Sequence, residues 1–221
     1  MSAIADRNLG IKHNWASTGM ARKREIKRAA RNFNIEVDLL LEYTFTVSAG
    51  QTAAHRSLIF DGAVIQLYRL FEGLILDTLV GAINQDMTTL SSKTGVNFPK
   101  HLNDEVCEYL VTGGGYFDFK GRDGLISTIK KHVPDTHYLV AIIKKDTYKR
   151  ALNVLSALRN HAAHQSEKSK KAALSATEQR RIGSSGAWLK SPSQGKPKTR
   201  FEWLCMKLKA LASEIEGQAP L

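Results

Sequence analysis

The sequence predicts an all-α protein, most simply a single antiparallel helical bundle spanning residues 1–221. Two observations carry that prediction. Long proline-free stretches place Leu, Ile, Phe and Tyr at helical spacing, above all over His55–Gln85. A chain of 221 residues, 43% hydrophobic and 24% charged, also has enough apolar surface to form a core without disulfides. No internal repeat is evident.

The elements follow in order. Residues 1–20 form a polar leader, expected to be flexible. From Ala21 to Asn34 the basic residues Arg22, Lys23, Arg24, Lys27, Arg28 and Arg31 stand in helix-forming sequence before apolar periodicity begins at Val37, Leu40 and Leu41. This is a helix with a basic front half. His55–Gln85 is the core helix. Ser91–Pro99 reads as loop, Leu102–Val111 as a short helix, and Gly113, Gly114 and Gly115 break the chain. Asp123 can cap another short helix reaching His132. His137–Ser166 reads as one long helix, although Tyr138–Ile143 taken alone also suits a strand. Residues 168–200 are polar and basic and are expected to be a loop excursion, with a short helix through Leu174–Arg181 as the alternative within it. Phe201–Ile215 closes the bundle with Leu204, Leu208, Leu211 and Ile215 on one stripe.

The balance of 32 Lys and Arg against 21 Asp and Glu gives +11, which suits a polyanionic partner such as nucleic acid or an anionic membrane surface. The two cysteines, Cys107 and Cys205, belong to no paired-thiol motif and fit a reducing compartment. The most apolar stretch, Ala63–Ile83, is interrupted by Arg69, Glu72 and Asp77, and no secretory signal precedes it. A cytoplasmic protein outside the membrane is the expectation.

The chemistry concentrates in Arg159-Asn160-His161-Ala162-Ala163-His164. At about 100° per residue, Asn160 and His164 point away from the apolar stripe of Ala151, Leu155, Leu158 and Ala162, and they share one face about 40° apart. That face has no evident packing purpose. Arg159 lies on the flank of the buried stripe, where a cation needs a partner. On the core helix, Glu72 falls among Leu79, Ile65, Ile83 and Leu76, and a carboxylate among apolar neighbours must pair or neutralise. Glu72 is therefore the expected partner of Arg159. His161 stands three residues from His164, but no third ligand is near in sequence and no metal site is expected.

These residues resemble the HEPN superfamily of small α-helical domains, which includes RNA-cleaving toxins and antiviral effectors. The likeness lies in Arg159-Asn160 followed by His164 near the end of a long helix, and in the Glu72-centred segment Leu67–Gly73. It covers the two core helices and hardly touches the basic N-terminal third. The resemblance implies a metal-independent endoribonuclease without cofactor, in which Arg159, Asn160, His164 and Glu72 form the catalytic set. It also implies a homodimer with a composite active site. Where some branches of the family carry an adenylylated tyrosine two residues after the histidine, this chain has Ser166.

The residue types suit that chemistry. An imidazole titrates near neutrality and can act as general acid or base. A guanidinium offers a planar fork to phosphate oxygens, and Asn160 is expected to orient the imidazole or the phosphate. His161, Arg22, Lys23, Arg24, Lys27, Lys168, Lys170 and Lys171 are the expected RNA contacts, with transfer RNA or messenger RNA as substrate. An antitoxin or activating partner is expected beside them. Two other classes remain open. One is a non-catalytic HEPN module that binds RNA or nucleotide; the other is a helical interaction protein in which Arg159 and Glu72 brace a dimer.

Overall fold

A computed structural model describes residues 24–99, 102–193 and 198–220. The leader, with Arg22 and Lys23, lies outside the described residues. Among the described residues there are ten helices and no strand: α1 (Ile26–Ser48), α2 (Ala53–Gln85), α3 (Thr88–Thr94), α4 (Asp104–Thr112), α5 (Gly121–His132), α6 (Tyr138–Lys144), α7 (Asp146–His164), α8 (Glu167–Thr177), α9 (Ser185–Leu189) and α10 (Arg200–Gln218). None of these helices is long and apolar enough to cross a membrane.

The core forms around α2, against which α1, α4, α7 and α9 all pack. Its buried face carries Phe60, Val64, Leu67, Phe71, Leu74 and Ile75, which meet Phe33 and Val37 of α1, Leu155 and Leu158 of α7, and Phe201 of α10. Thr52 caps the start of α2 by accepting from the His55 amide, and Thr199 and Glu202 close a reciprocal capping box at the start of α10. A smaller cluster of Val80, Ile83, Met87, Leu90 and Cys107 seals the far end of α2 beneath α3 and α4.

Four features depart from the sequence reading. Within Ser91–Pro99, expected to be loop, α3 extends to Thr94, because Leu90 anchors it in that smaller cluster. Asp123 sits in the first turn of α5 instead of capping it; the cap position is Lys120, with no side-chain bond. The expected long helix breaks at Lys145, whose ψ of 130° is extended. The Arg122 Nε–H takes the freed Ile143 carbonyl at 3.0 Å, and Lys145 and the Tyr148 hydroxyl both bond Glu214 of α10 at 2.6 Å. Tertiary partners thus satisfy a break that local propensity does not announce.

The fourth departure is the largest. The stretch 168–200, expected to be a loop excursion, carries α8 and α9 among its described residues, and α8 begins and ends earlier than the Leu174–Arg181 alternative. Ser166 caps α8 by accepting from the Ser169 amide, and the small residues Ser169, Ala173 and Thr177 form its buried side, against α7. Gly186 in α9 lies hard against α2. A Cβ there would stand 1.9 Å from the Ser57 carbonyl oxygen, while its amide donates to Asp61 Oδ1 at 2.6 Å.

Candidate active site

The end of α7 carries the site. Gln165, with φ of 46°, turns the chain out of α7 directly after His164, and Ser166 starts α8 at once. His164 is exposed as the last residue of its helix. The start of α5 is docked on the same helix: the Gly121 amide donates to Ser156 Oγ at 3.2 Å and the Arg122 amide to Asn153 Oδ1 at 3.0 Å. Gly121 has φ of +64°, and a Cβ on it would meet Asn153 Oδ1 at 3.0 Å, so a glycine suits this junction on two counts.

Between α5, α7 and α8 lies an open cleft of about 530 Å³. Arg159, Asn160 and His164 line it together with Asp118, Lys120, Ser166 and Lys168. The cations outnumber the carboxylates there, and the N-terminal ends of α5 and α8 add positive dipole ends. The arrangement suits an anionic ligand presenting a phosphate to Arg159 and a proton to His164.

Arg159 is held by an aromatic ring instead of a carboxylate. Its guanidinium carbon lies 4.6 Å from the centroid of the Tyr68 ring, and its Nη1 donates to Asn160 Oδ1 at 2.8 Å. Tyr68 is in turn fixed. Its hydroxyl donates to Asp118 Oδ1 at 2.7 Å and to the Phe119 carbonyl at 2.8 Å, and its ring stacks on Phe119. Burial and the Asp118 carboxylate push the Tyr68 phenol well above its usual range, so it stays protonated and keeps donating.

Several expectations are corrected by this geometry. Glu72 makes no ion pair with Arg159; among the described residues, no carboxylate reaches Arg159 at pairing distance. Glu72 is half-buried, and desolvation raises its carboxyl to about 7 against the opposing pull of the Arg159 charge. Asn160 bonds the arginine, not the imidazole. His161 is 5% exposed with a buried, unpartnered Nδ1, so it faces the core and not an RNA strand. Its position three residues before His164 turns it only about 60° around α7, which is enough to carry it into the packed side while His164 stays exposed.

The basic contacts divide. Lys168, Lys170 and Lys171 stand on α8, not on a loop; Lys168 lines the cleft, Lys170 lies 3.9 Å from Glu167, and Lys171 is exposed. Arg24 does not face solvent for RNA: its guanidinium pairs with Asp77 at 2.7 Å and with Glu108, and its amide donates to Asp104. Lys27 is half-buried on α1, which contributes nothing to the cleft wall.

Sequence reasoning missed Tyr68, Asp118 and Lys120. Tyr68 had a signal, since it precedes Glu72 by one helical turn and faces the same neighbour. Asp118 and Lys120 had none, because only the docking of α5 on α7 brings their loop to the site. Comparison of the chain with protein-family models, with curated proteins and with solved structures gives no match.

Proposed function

We propose that the protein is a metal-independent endoribonuclease, a toxin or antiviral effector acting in the cytoplasm on transfer RNA or messenger RNA. The observation that carries this reading is an arginine with no carboxylate partner among the described residues, sharing a basic cleft with an exposed histidine. A 2′-hydroxyl attacks the adjacent phosphorus and gives up its proton as the new P–O bond forms. The bond to the 5′-oxygen breaks, and that oxygen takes a proton as it leaves. The products are a 2′,3′-cyclic phosphate and a 5′-hydroxyl.

In this chain His164 carries one proton transfer and Arg159 balances the charge of the crowded phosphorane. Asn160 and the Tyr68 ring orient Arg159 from two sides. Glu72, whose carboxyl is raised to about 7 by burial, is a candidate for the second proton transfer.

A homodimer with a composite site is part of the proposal. Tyr43 on α1 and Leu58 on α2 are 64% and 65% exposed and flank an apolar groove completed by Leu40, Val47 and Ile59. Leu58, Ile65 and Glu72 follow at seven-residue steps, so that face runs toward the Arg159 neighbourhood.

The test is cleavage of transfer RNA and total RNA in excess EDTA by the wild type and by His164→Ala, with end-group analysis. Cleavage by the wild type alone, leaving cyclic-phosphate ends, is the expected result. Salt-sensitive RNA binding without cleavage by either protein would select a binding module that awaits an activating partner.

A further inference from the structure

The groove that holds His164 continues along α7 and α8. Asn153 and Ala172 line both the cleft and a neighbouring depression of about 520 Å³, which Lys149 and Asp146 also border. Arg150 and Glu178 line that depression and a third one of about 280 Å³, whose other walls are Gln179, Trp188, Ser193, Arg200 and Trp203. Arg150 and His164 stand on one helix fourteen residues apart, about 21 Å along its axis.

The third depression is built around two arginines laid on two indoles. Arg200 lies 4.8 Å from the centroid of the Trp188 ring and Arg150 lies 5.7 Å from that of Trp203. Arg150 has one carboxylate neighbour, Glu178 at 3.5 Å, whose side chain is 73% exposed. Arg200 has no ion pair among the described residues; its Nη1 donates to the Trp188 carbonyl at 3.3 Å. Burial and the nearby Arg150 charge both disfavour the Arg200 cation. Trp188 is 7% exposed, and its Nε1–H is buried without an acceptor. Two cations that repel each other across a concave pocket share one remedy, an oxyanion between them.

We infer that Arg150 and Arg200, the latter laid on the Trp188 ring, form a second phosphate-binding subsite, which holds a backbone phosphate of the single strand whose scissile bond lies at His164. The continuity of the groove favours a strand over a free nucleotide, which would engage the pocket alone. Naming that strand as RNA rests on the endoribonuclease reading. The affinity of the arginine pair for phosphate does not.

The experiment is fluorescence anisotropy with labelled single-stranded oligoribonucleotides of increasing length, using full-length His164→Ala to prevent cleavage. Affinity should rise about tenfold or more once the strand spans both subsites. Arg150→Gln combined with Arg200→Gln should remove that gain and reduce the salt slope by about one. Arg150→Gln alone changes a side chain that is 54% exposed, so the fold is retained, and it should remove part of the gain. Lys131→Gln, an equal charge change on exposed α5 surface, should leave the gain intact.

Equal affinity for short and long strands overturns the inference, as does an unaltered gain in folded arginine variants. Adenosine 5′-monophosphate binding as tightly as a long strand, and lost in the double variant, overturns the strand assignment in favour of a nucleotide pocket. Wild-type cleavage in EDTA, scored separately, distinguishes the two readings. A length gain that depends on the arginines, without cleavage, supports the subsite and sinks the ribonuclease. Cleavage with no arginine effect does the reverse.

Discussion

Two arginines approach α2 from opposite ends of the chain and meet opposite surroundings. Arg24 enters a nest of carboxylates, with Asp77 and Glu108 on its guanidinium and Asp104 on its amide. Arg159 has no carboxylate at pairing distance among the described residues, and lies on the Tyr68 ring with Asn160 at its edge. The nearest acidic residues on α2 differ accordingly. Asp77 is raised by burial but countered by a direct pair with Arg24, whereas Glu72 is raised to about 7 with Arg159 acting on it only at a distance. A cation neutralised by its own chain is a brace. One held by a ring and an amide has no carboxylate to neutralise it among the described residues.

The largest effect should come from Arg159→Ala. Under the proposed chemistry, cleavage falls about 10²–10³-fold in a single-turnover assay, while the thermal midpoint barely moves. Arg24→Ala should leave the cleavage rate unchanged. If the two variants exchange these outcomes, the contrast between brace and ligand is wrong.

Tyr68→Phe sharpens the Arg159 side. The ring remains under the guanidinium, but the hydroxyl shared by Asp118 and the Phe119 carbonyl is lost, at a cost of about 1–3 kcal/mol in urea unfolding. Cleavage should stay within about tenfold of wild type. A loss as deep as that of Arg159→Ala would mean that the hydroxyl, not the ring, does the positioning.

Arg24→Ala tests the other side through stability. Its partners Asp77 and Glu108 are 43% and 40% exposed, so the expected loss at neutral pH is about 1 kcal/mol. Without Arg24 the Asp77 carboxyl rises further above its usual range, and the native state then binds more protons than the unfolded one. The deficit should therefore grow as pH increases and shrink in acid. A deficit independent of pH would show that the carboxylate nest is solvated.

The smallest effect belongs to Glu72. Its carboxyl titrates near 4.5 when unfolded and about 7 in the fold, so between those values the native state binds more protons. Stability is fully present below pH 4.5 and is lost as pH rises through about 7. Since the carboxyl is half-exposed, screening reduces the change to about 1 kcal/mol. Glu72→Gln should flatten the thermal midpoint measured across that range. An unchanged slope would assign the pH dependence to another group.

Much of this contrast was legible in the sequence. The helical spacing of α2, the arc of α7 shared by Asn160 and His164, and the awkward flank position of Arg159 all follow from residue order and a fixed rotation per residue. The identity of Arg159's companion was not legible. A helical wheel ranks positions by direction but not by depth, so Glu72 looked more buried than it is, and Tyr68 passed for ordinary core. His161 shows the same limit. The wheel did not show that this position turns inward, because the packing of several helices, not one, sets the width of the buried arc.

The sequence alone determined the helical class, the central place of α2 and the convergence of Arg159, Asn160 and His164 on one helix end, because these depend on local periodicity. Tertiary structure decided that Glu167–Thr177 and Ser185–Leu189 fold back as α8 and α9 to wall a groove. It also decided that Arg24 is neutralised while Arg159 is not. Each of those outcomes depends on which distant groups arrive alongside: Asp104 and Glu108 in one case, the Tyr68 ring in the other. Local periodicity carries no information about such arrivals.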